Sequence, residues 1–226
     1  MLYGLTVSKR FYEIGSPDSY GEFISYAHER FDVPHKAVFL DRDGTINELV
    51  FNDDTEQLDT AMDVSEFRLF QNSLDAIKEI REKGYLVFVV TNQPAAAKGK
   101  TTMGKLMDID HELLRLAAAA GTEIDDIFAC FHYPDEQPHT REKFLISKCG
   151  CRKPAAGLIE QARAKYNLDI ENSYMAGDSF TDIQCGRTAG LKTVFIGNYK
   201  CDVCARLEYD RPDMITGSIK ELADRL

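Results

Sequence analysis

Apolar positions along the chain fall into short unbroken runs separated by stretches of helical period. Residues 37–40 read Ala-Val-Phe-Leu with no polar position among them, as a strand covered on both faces does. Similar runs recur at 85–90, rich in β-branched residues, and at 127–130, 174–177 and 193–196. Between them, residues 73–83, 101–120, 155–166 and 181–189 carry apolar positions at helical spacing, the first stopping at Gly84 and the second at Gly121. Strands alternating with helices predict an α/β fold with a doubly wound parallel sheet. The first thirty-odd residues differ: a turn-rich stretch at 12–20 opens a short amphipathic segment at 20–31, and Pro34 interrupts before the first strand. In a parallel sheet of this kind the ligand sits beyond the carboxyl ends of the strands, so those ends are where chemistry is sought.

The first predicted strand ends in Asp41-Arg42-Asp43-Gly44-Thr45. Two carboxylates one residue apart, followed by a glycine that permits a tight turn, suit a nucleophile beside a proton shuttle. Taken alone, the same residues are equally a capped turn. The second ends in Thr91-Asn92-Gln93, where a hydroxyl and backbone amides can hold phosphate oxygens, although Thr-Asn is also plain turn chemistry. Arg152-Lys153-Pro154 opens a helix and puts cations at its positive end, a placement that makes sense if an anion lies between them. The fourth strand ends in Gly177-Asp178-Ser179, with Asp182 one turn on. An acid there completes an oxygen shell for Mg²⁺, and the alternative for Asp178 is a helix N-cap.

Cys130-Phe131-His132 and Cys149-Gly150-Cys151 bracket a polar loop containing Asp135, Pro138 and His139. Three thiolates and one imidazole make a closed tetrahedral set for structural zinc. His132 is preferred to His139 as the fourth ligand because it pairs with Cys130. Cys201-Asp202-Val203-Cys204 has metal-ligand spacing but no second pair, so these two and Cys185 are read as structural or free thiols.

Composition narrows the partners. A chain of 226 residues suffices for one sizeable α/β domain and is short for two. Its formal charge of −10 argues against nucleic acid and anionic membrane surfaces as main partners. A small phosphorylated metabolite stays compatible, because a metal and a few cations reverse the field locally. No run is apolar enough to span a bilayer, and residues 1–10 show no signal-peptide pattern, so a cytoplasmic monomer is expected.

Taken together, the strand-end motifs resemble the haloacid dehalogenase superfamily of phosphatases, over the chain from about residue 36 onward. The metal loop resembles the subgroup that includes the heptose 1,7-bisphosphate and histidinol-phosphate phosphatases, whose members carry a zinc loop in place of a large cap domain. The resemblance implies a Rossmann-like domain at 36–226 acting through an aspartyl-phosphate. Asp41 matches the nucleophile and a magnesium ligand. Asp43 matches the general acid/base, with its backbone carbonyl facing the metal. Thr91 and Lys153 match groups that stabilise the transferring phosphoryl, Arg152 a substrate-recognition position, and Asp178 a second magnesium ligand. Asn92, Gln93, Lys98 and Ser179 are expected to contact substrate. One departure stands out: residues 94–99 read Pro-Ala-Ala-Ala-Lys-Gly, where the heptose enzymes typically begin Ser-Gly and carry arginine before the final glycine. Lys98 keeps the charge and loses the bidentate fork.

The segment 10–20 is similar to the tail of sugar-1-phosphate nucleotidyltransferases, which makes residues 1–35 an N-terminal arm and favours a sugar phosphate as substrate. Three readings stay open: a heptose bisphosphate phosphatase, a histidinol-phosphate phosphatase, and a non-catalytic phosphosugar-binding protein.

Overall fold

The computed structural model describes residues 15–28, 32–52, 56–197 and 211–226. The Cys201/Cys204 pair and parts of the segments at 10–20 and 20–31 lie outside them. The chain divides into two compact units, 1–34 and 35–226. In the first, α1 (Pro17–Ala27) starts at Ser16, whose side chain accepts from the Ser19 amide in a capping box. None of its residues is buried.

The second unit is a six-stranded sheet made of β1 (Ala37–Leu40), β4 (Leu86–Asn92), β5 (Asp126–Cys130), β6 (Tyr174–Gly177), β7 (Lys192–Ile196) and β8 (Met214–Thr216). Every pairing is parallel, in the order β5-β4-β1-β6-β7-β8. Helices α2 (Ser73–Glu82), α3 (Met103–Ala119), α4 (Gly157–Lys165), α5 (Phe180–Ala189) and α6 (Ile219–Arg225) supply the covering layers. This is the Rossmann-like α/β arrangement that the alternating pattern predicts. From β1 the chain winds outward through β4 and β5, then returns to β6 and winds the other way. The winding therefore reverses between β1 and β6.

Why the strands read as unbroken apolar runs is visible in the two cores. Val38, Leu40, Val87 and Val89 pack on one face with Ile77 and Ile80 of α2, Leu106 and Ile109 of α3, and Leu222 of α6. Their alternates Ala37, Phe39, Phe88 and Val90 pack on the other with Leu158 and Ile159 of α4 and Cys185 of α5. Side chains alternate across a strand, so with both faces covered no position is left for a polar residue. The rings of Phe39 and Phe88 lie 5.2 Å apart, tilted by 31°. Burying side chains of this size stabilises the fold by about 1.5–3 kcal/mol each.

Some elements escape the sequence pattern. A hairpin of β2 (Val50–Asn52) and β3 (Gln57–Asp59) follows the β1 loop, pairing Phe51 with Leu58, and both side chains are exposed. Strand β8 and helix α6 close the far edge of the sheet. Among the described residues nothing the size of a cap domain interrupts the carboxyl side of the sheet; the hairpin and the Cys/His loop are what stands there.

Candidate active site and metal loop

Asp41 follows β1 directly, and its backbone N–H donates to the Ala176 carbonyl of β6 at 2.9 Å. The residue is thus tied to both strands at the point where the winding reverses. Its Oδ1 accepts from the Arg42 amide at 2.7 Å and pairs with Lys153 Nζ at 2.8 Å. The same ammonium pairs with Asp182 Oδ1 at 2.6 Å and donates to the Val90 carbonyl at 2.8 Å. Burial opposes its charge, but Asp182 and Asp41 outweigh that and hold its pKa above the usual lysine value.

Asp178 closes the group from the end of β6. Gly44 (φ +81°) lets the β1 loop come this near, since a Cβ there would lie 2.1 Å from Asp178 Oδ2. Gly177 does the same for Asp182, with its Cβ position 2.3 Å from Oδ2. Asp41, Asp178 and Asp182 each offer an oxygen, and all lie within 4.8 Å of one another. Burial, then the neighbouring acids, push Asp41 up to about 7, with Lys153 pulling against them. Asp178 rises to about 6, from burial first and Asp182 next. Three crowded acids with one ammonium are short of positive charge, and hard oxygen donors in this number fit a divalent cation.

The metal set expected from the sequence counts Asp43 through its backbone carbonyl, and its side chain has partners of its own. The Asp43 side chain is outside the acid cluster. It accepts from Arg42 Nη2 (3.0 Å to Oδ2, 3.3 Å to Oδ1), from Asn47 Nδ2 (3.0 Å) and from Gln93 Nε2 (2.5 Å). Asp182, whose place one turn after Asp178 is visible in the sequence, joins Asp41 and Asp178 in the cluster. Its signal is the Ser-x-x-Asp spacing of a capping box at the start of α5: Oδ2 accepts from the Ser179 amide at 3.0 Å, which aims Oδ1 at Lys153.

Thr91 is buried and accepts from Gln93 Nε2 at 2.8 Å, so its own proton stays available to donate. Three residues expected to contact substrate have other partners. The Asn92 amide is bonded at both ends to the Lys153 main chain, at 3.1 and 3.0 Å. Gln93 is fully buried and bridges Asp43 to Thr91. The Ser179 hydroxyl lies 2.6 Å from Asp182 Oδ2 and 2.8 Å from Thr181 Oγ1.

The two cations expected at the periphery converge on one ring. Lys98 Nζ sits 4.5 Å from the Tyr133 centroid and Arg152 Cζ 5.5 Å from it. Arg152 Nη1 is buried with no hydrogen-bond partner among the described residues. Burial, then Lys100 and Arg152, lower the pKa of Lys98. Tyr133 is absent from the sequence expectations, although it directly follows His132.

The Cys/His loop gathers as the spacing suggests. Cys151 Sγ lies 3.0 Å from Cys130 Sγ and 3.2 Å from Cys149 Sγ; His132 Nδ1 is 3.3 Å from Cys151 and 3.7 Å from Cys130. An ion at a zinc–sulfur distance of about 2.3 Å would separate sulfur pairs by about 3.8 Å, slightly wider than this cluster. The three cysteines are free of disulfides, and their sulfurs are too far apart for S–S bonds. The Cys151 thiol is pushed up by burial and by its two sulfur neighbours. This donor set can hold a metal ion, and His139 is outside it. Cys185 is buried against the Ala155 carbonyl, its thiol raised by burial to about 12.

Comparison with known proteins follows the same lines. Residues 150–222 match the HAD-hydrolase-like family. A D-glycero-beta-D-manno-heptose-1,7-bisphosphate 7-phosphatase of Haemophilus ducreyi is 34% identical over 188 residues, covering 83% of this chain and 96% of that protein. The D-glycero-alpha-D-manno-heptose-1,7-bisphosphate 7-phosphatase of Photorhabdus laumondii is 34% identical over 161 residues, 71% of this chain and 81% of its own. Among solved structures, the D,D-heptose 1,7-bisphosphate phosphatase of B. bronchiseptica, complexed with magnesium and phosphate, superposes with a TM-score of 0.69. It is 26% identical and covers 84% of this chain and 97% of that one. The chain belongs to the haloacid dehalogenase-like hydrolases. Its activity is that of a phosphatase, cleaving phosphoric monoesters.

Proposed function

We propose that this phosphatase removes the 7-phosphate of D-glycero-D-manno-heptose 1,7-bisphosphate through a covalent aspartyl-phosphate. The observation that carries the chemistry is the buried Lys153 ammonium between Asp41 and Asp182, beside Asp178 at the reversal of the sheet. The relatives named for the heptose bisphosphate support that substrate over histidinol phosphate. An intact nucleophile, acid/base and lysine weigh against a binding protein.

In this reading Asp41 Oδ2 attacks phosphorus, because Oδ1 is already taken by Arg42 N–H and Lys153. The P–O bond to the sugar breaks as Asp43 gives its proton to the departing oxygen. Asp43 then takes a proton from the water that opens the aspartyl-phosphate, which releases phosphate, returns Asp41 as a carboxylate and leaves Asp43 protonated for the next turnover. Lys153 and the Thr91 hydroxyl hold the equatorial oxygens, where charge accumulates. Magnesium, held by Asp41, Asp178 and Asp182 with the Asp43 backbone carbonyl, would neutralise phosphoryl charge when bound. Zinc in the Cys130, His132, Cys149 and Cys151 set would be structural, fixing the loop that carries Tyr133 and leads into Arg152 and Lys153. Lys98 and Arg152 would read the phosphate that is not cleaved.

The enzyme is read as a cytoplasmic monomer; among the described residues no helix is long and apolar enough to cross a membrane. The N-terminal arm would be a remnant related to sugar-activating enzymes. Phosphorus NMR of turnover with both anomers of the bisphosphate and with histidinol phosphate tests the substrate. Loss of the 7-phosphate signal with the 1-phosphate retained is expected. Faster turnover of histidinol phosphate than of either anomer would overturn the assignment.

A further inference from the structure

Arg42 heads the fully buried side chains by size, with no exposed surface at all. Its guanidinium is shared between two acids. Nη2 reaches both oxygens of Asp43, and Nη1 donates to Asp110 Oδ1 at 2.7 Å. Asp110 lies on the core side of α3, between the buried Ile109 and Leu113. Among the described residues its side chain hydrogen-bonds to Arg42 alone. A buried ion triplet is weak as a source of stability, since apolar residues of similar size commonly do as well. Its cost in desolvation points to a role in the site.

That role follows from the geometry. Arg42 spans both Asp43 oxygens, which fixes the plane of the carboxylate as well as its place. Asn47 and Gln93 hold the same group from two other directions. Asp110 in turn prevents the guanidinium from rotating away, because one arm of the rigid fork is already committed. We propose that Arg42, anchored by Asp110, is a positioning residue that aligns Asp43 for proton transfer to the leaving oxygen. The inference rests on the acid/base reading of Asp43 given above. Proton transfer is sensitive to small displacements, so loosening the carboxylate slows that step while leaving phosphate binding to the separate Lys153 cluster.

Two esters separate the possibilities. An alkyl phosphate such as glycerol phosphate needs a proton on its leaving oxygen as the P–O bond breaks; 2,4-dinitrophenyl phosphate does not. The ratio of kcat/KM between them reports Asp43 in the first step. For Asp43→Asn the alkyl-to-dinitrophenyl ratio should fall at least about 100-fold, the range of general acid catalysis. Arg42→Lys, which keeps the charge and loses the fork, should lower the same ratio about tenfold to 100-fold, and Asp110→Ala about tenfold. Thermal melts select folded preparations, and if Arg42→Lys does not fold, Asp110→Ala decides. A ratio that drops in Asp43→Asn and stays at the wild-type value in folded Arg42→Lys or Asp110→Ala would overturn the positioning role alone. An unchanged ratio in Asp43→Asn would instead remove Asp43 as the acid, and the inference with it.

Discussion

The side-chain amide of Asn92 holds Lys153 by its main chain at both ends, Nδ2 donating to the lysine carbonyl and Oδ1 accepting from its N–H. One residue at the end of β4 therefore sets where the ammonium can stand, although the two are 61 positions apart. Asn92→Leu should lower kcat about tenfold to 100-fold and change KM less than threefold, because the loss is of alignment rather than of substrate contact. Steady-state kinetics check this; a rise in KM alone would return Asn92 to a substrate-binding role.

Asp41→Asn should abolish turnover, leaving less than about a thousandth of wild-type kcat, since an amide is a poor nucleophile and a poor ligand for a hard cation. It should also flatten the pH dependence of metal-free stability. Asp41 is raised by burial from 3.8 to about 7 and Asp178 from 3.8 to about 6. A carboxyl raised on folding contributes stability that is fully present below its unfolded value and lost as pH climbs through its folded one. In the metal-free enzyme the melting temperature should thus decline from about pH 4 to pH 7, less steeply in Asp41→Asn. Added magnesium should raise it more at pH 8 than at pH 5. Scanning fluorimetry across that range, with and without magnesium, gives the test.

One zinc per chain is expected in protein prepared without chelator, distinct from exchangeable magnesium. His132→Ala should lose most of it and His139→Ala none, because only His132 reaches the sulfur cluster. Elemental analysis of the two variants side by side discriminates between the histidines; equal zinc in both would remove His132 from the set.

Arg152→Ala and Lys98→Ala should each lower kcat/KM on the heptose bisphosphate by about tenfold or more, with losses under about threefold on para-nitrophenyl phosphate. Both cations lean on the Tyr133 ring, so Tyr133→Leu should show the same preference to a smaller degree. Equal losses on the two esters would mean that these groups do not read the distant phosphate.

The fold was legible because a sheet covered on both faces leaves no polar alternation in β1 or β4, and the helices between them carry a clear period. Elements of three residues, such as β2, β3 and β8, are too short to establish a period, and α6 spans only seven residues. Asp41, Lys153 and Asp178 could be picked out because each stands at a strand end or helix start in a recognisable motif. The Arg42–Asp110 pair could not, since it joins positions 68 apart and Arg42 enters the first motif only as the spacer between two acids. The side-chain bonds of Asn92 and Gln93 to their neighbours had no sequence signal either, because a polar residue beside a site reads the same whichever group its side chain holds.

Lys153 Nζ touches the β1 loop at Asp41, the end of β4 at Val90 and the first turn of α5 at Asp182. These belong to both arms of the winding, so a single ammonium works as a rivet across the seam of the sheet. Losing one partner from such a buried set typically costs about 3–5 kcal/mol, a large share of the stability of a domain this size. Chemistry and folding are thus selected together at this position. Drift that weakens the catalyst here also thins the population of folded molecules, and a surviving chain can discard the reaction only after finding another way to close the sheet.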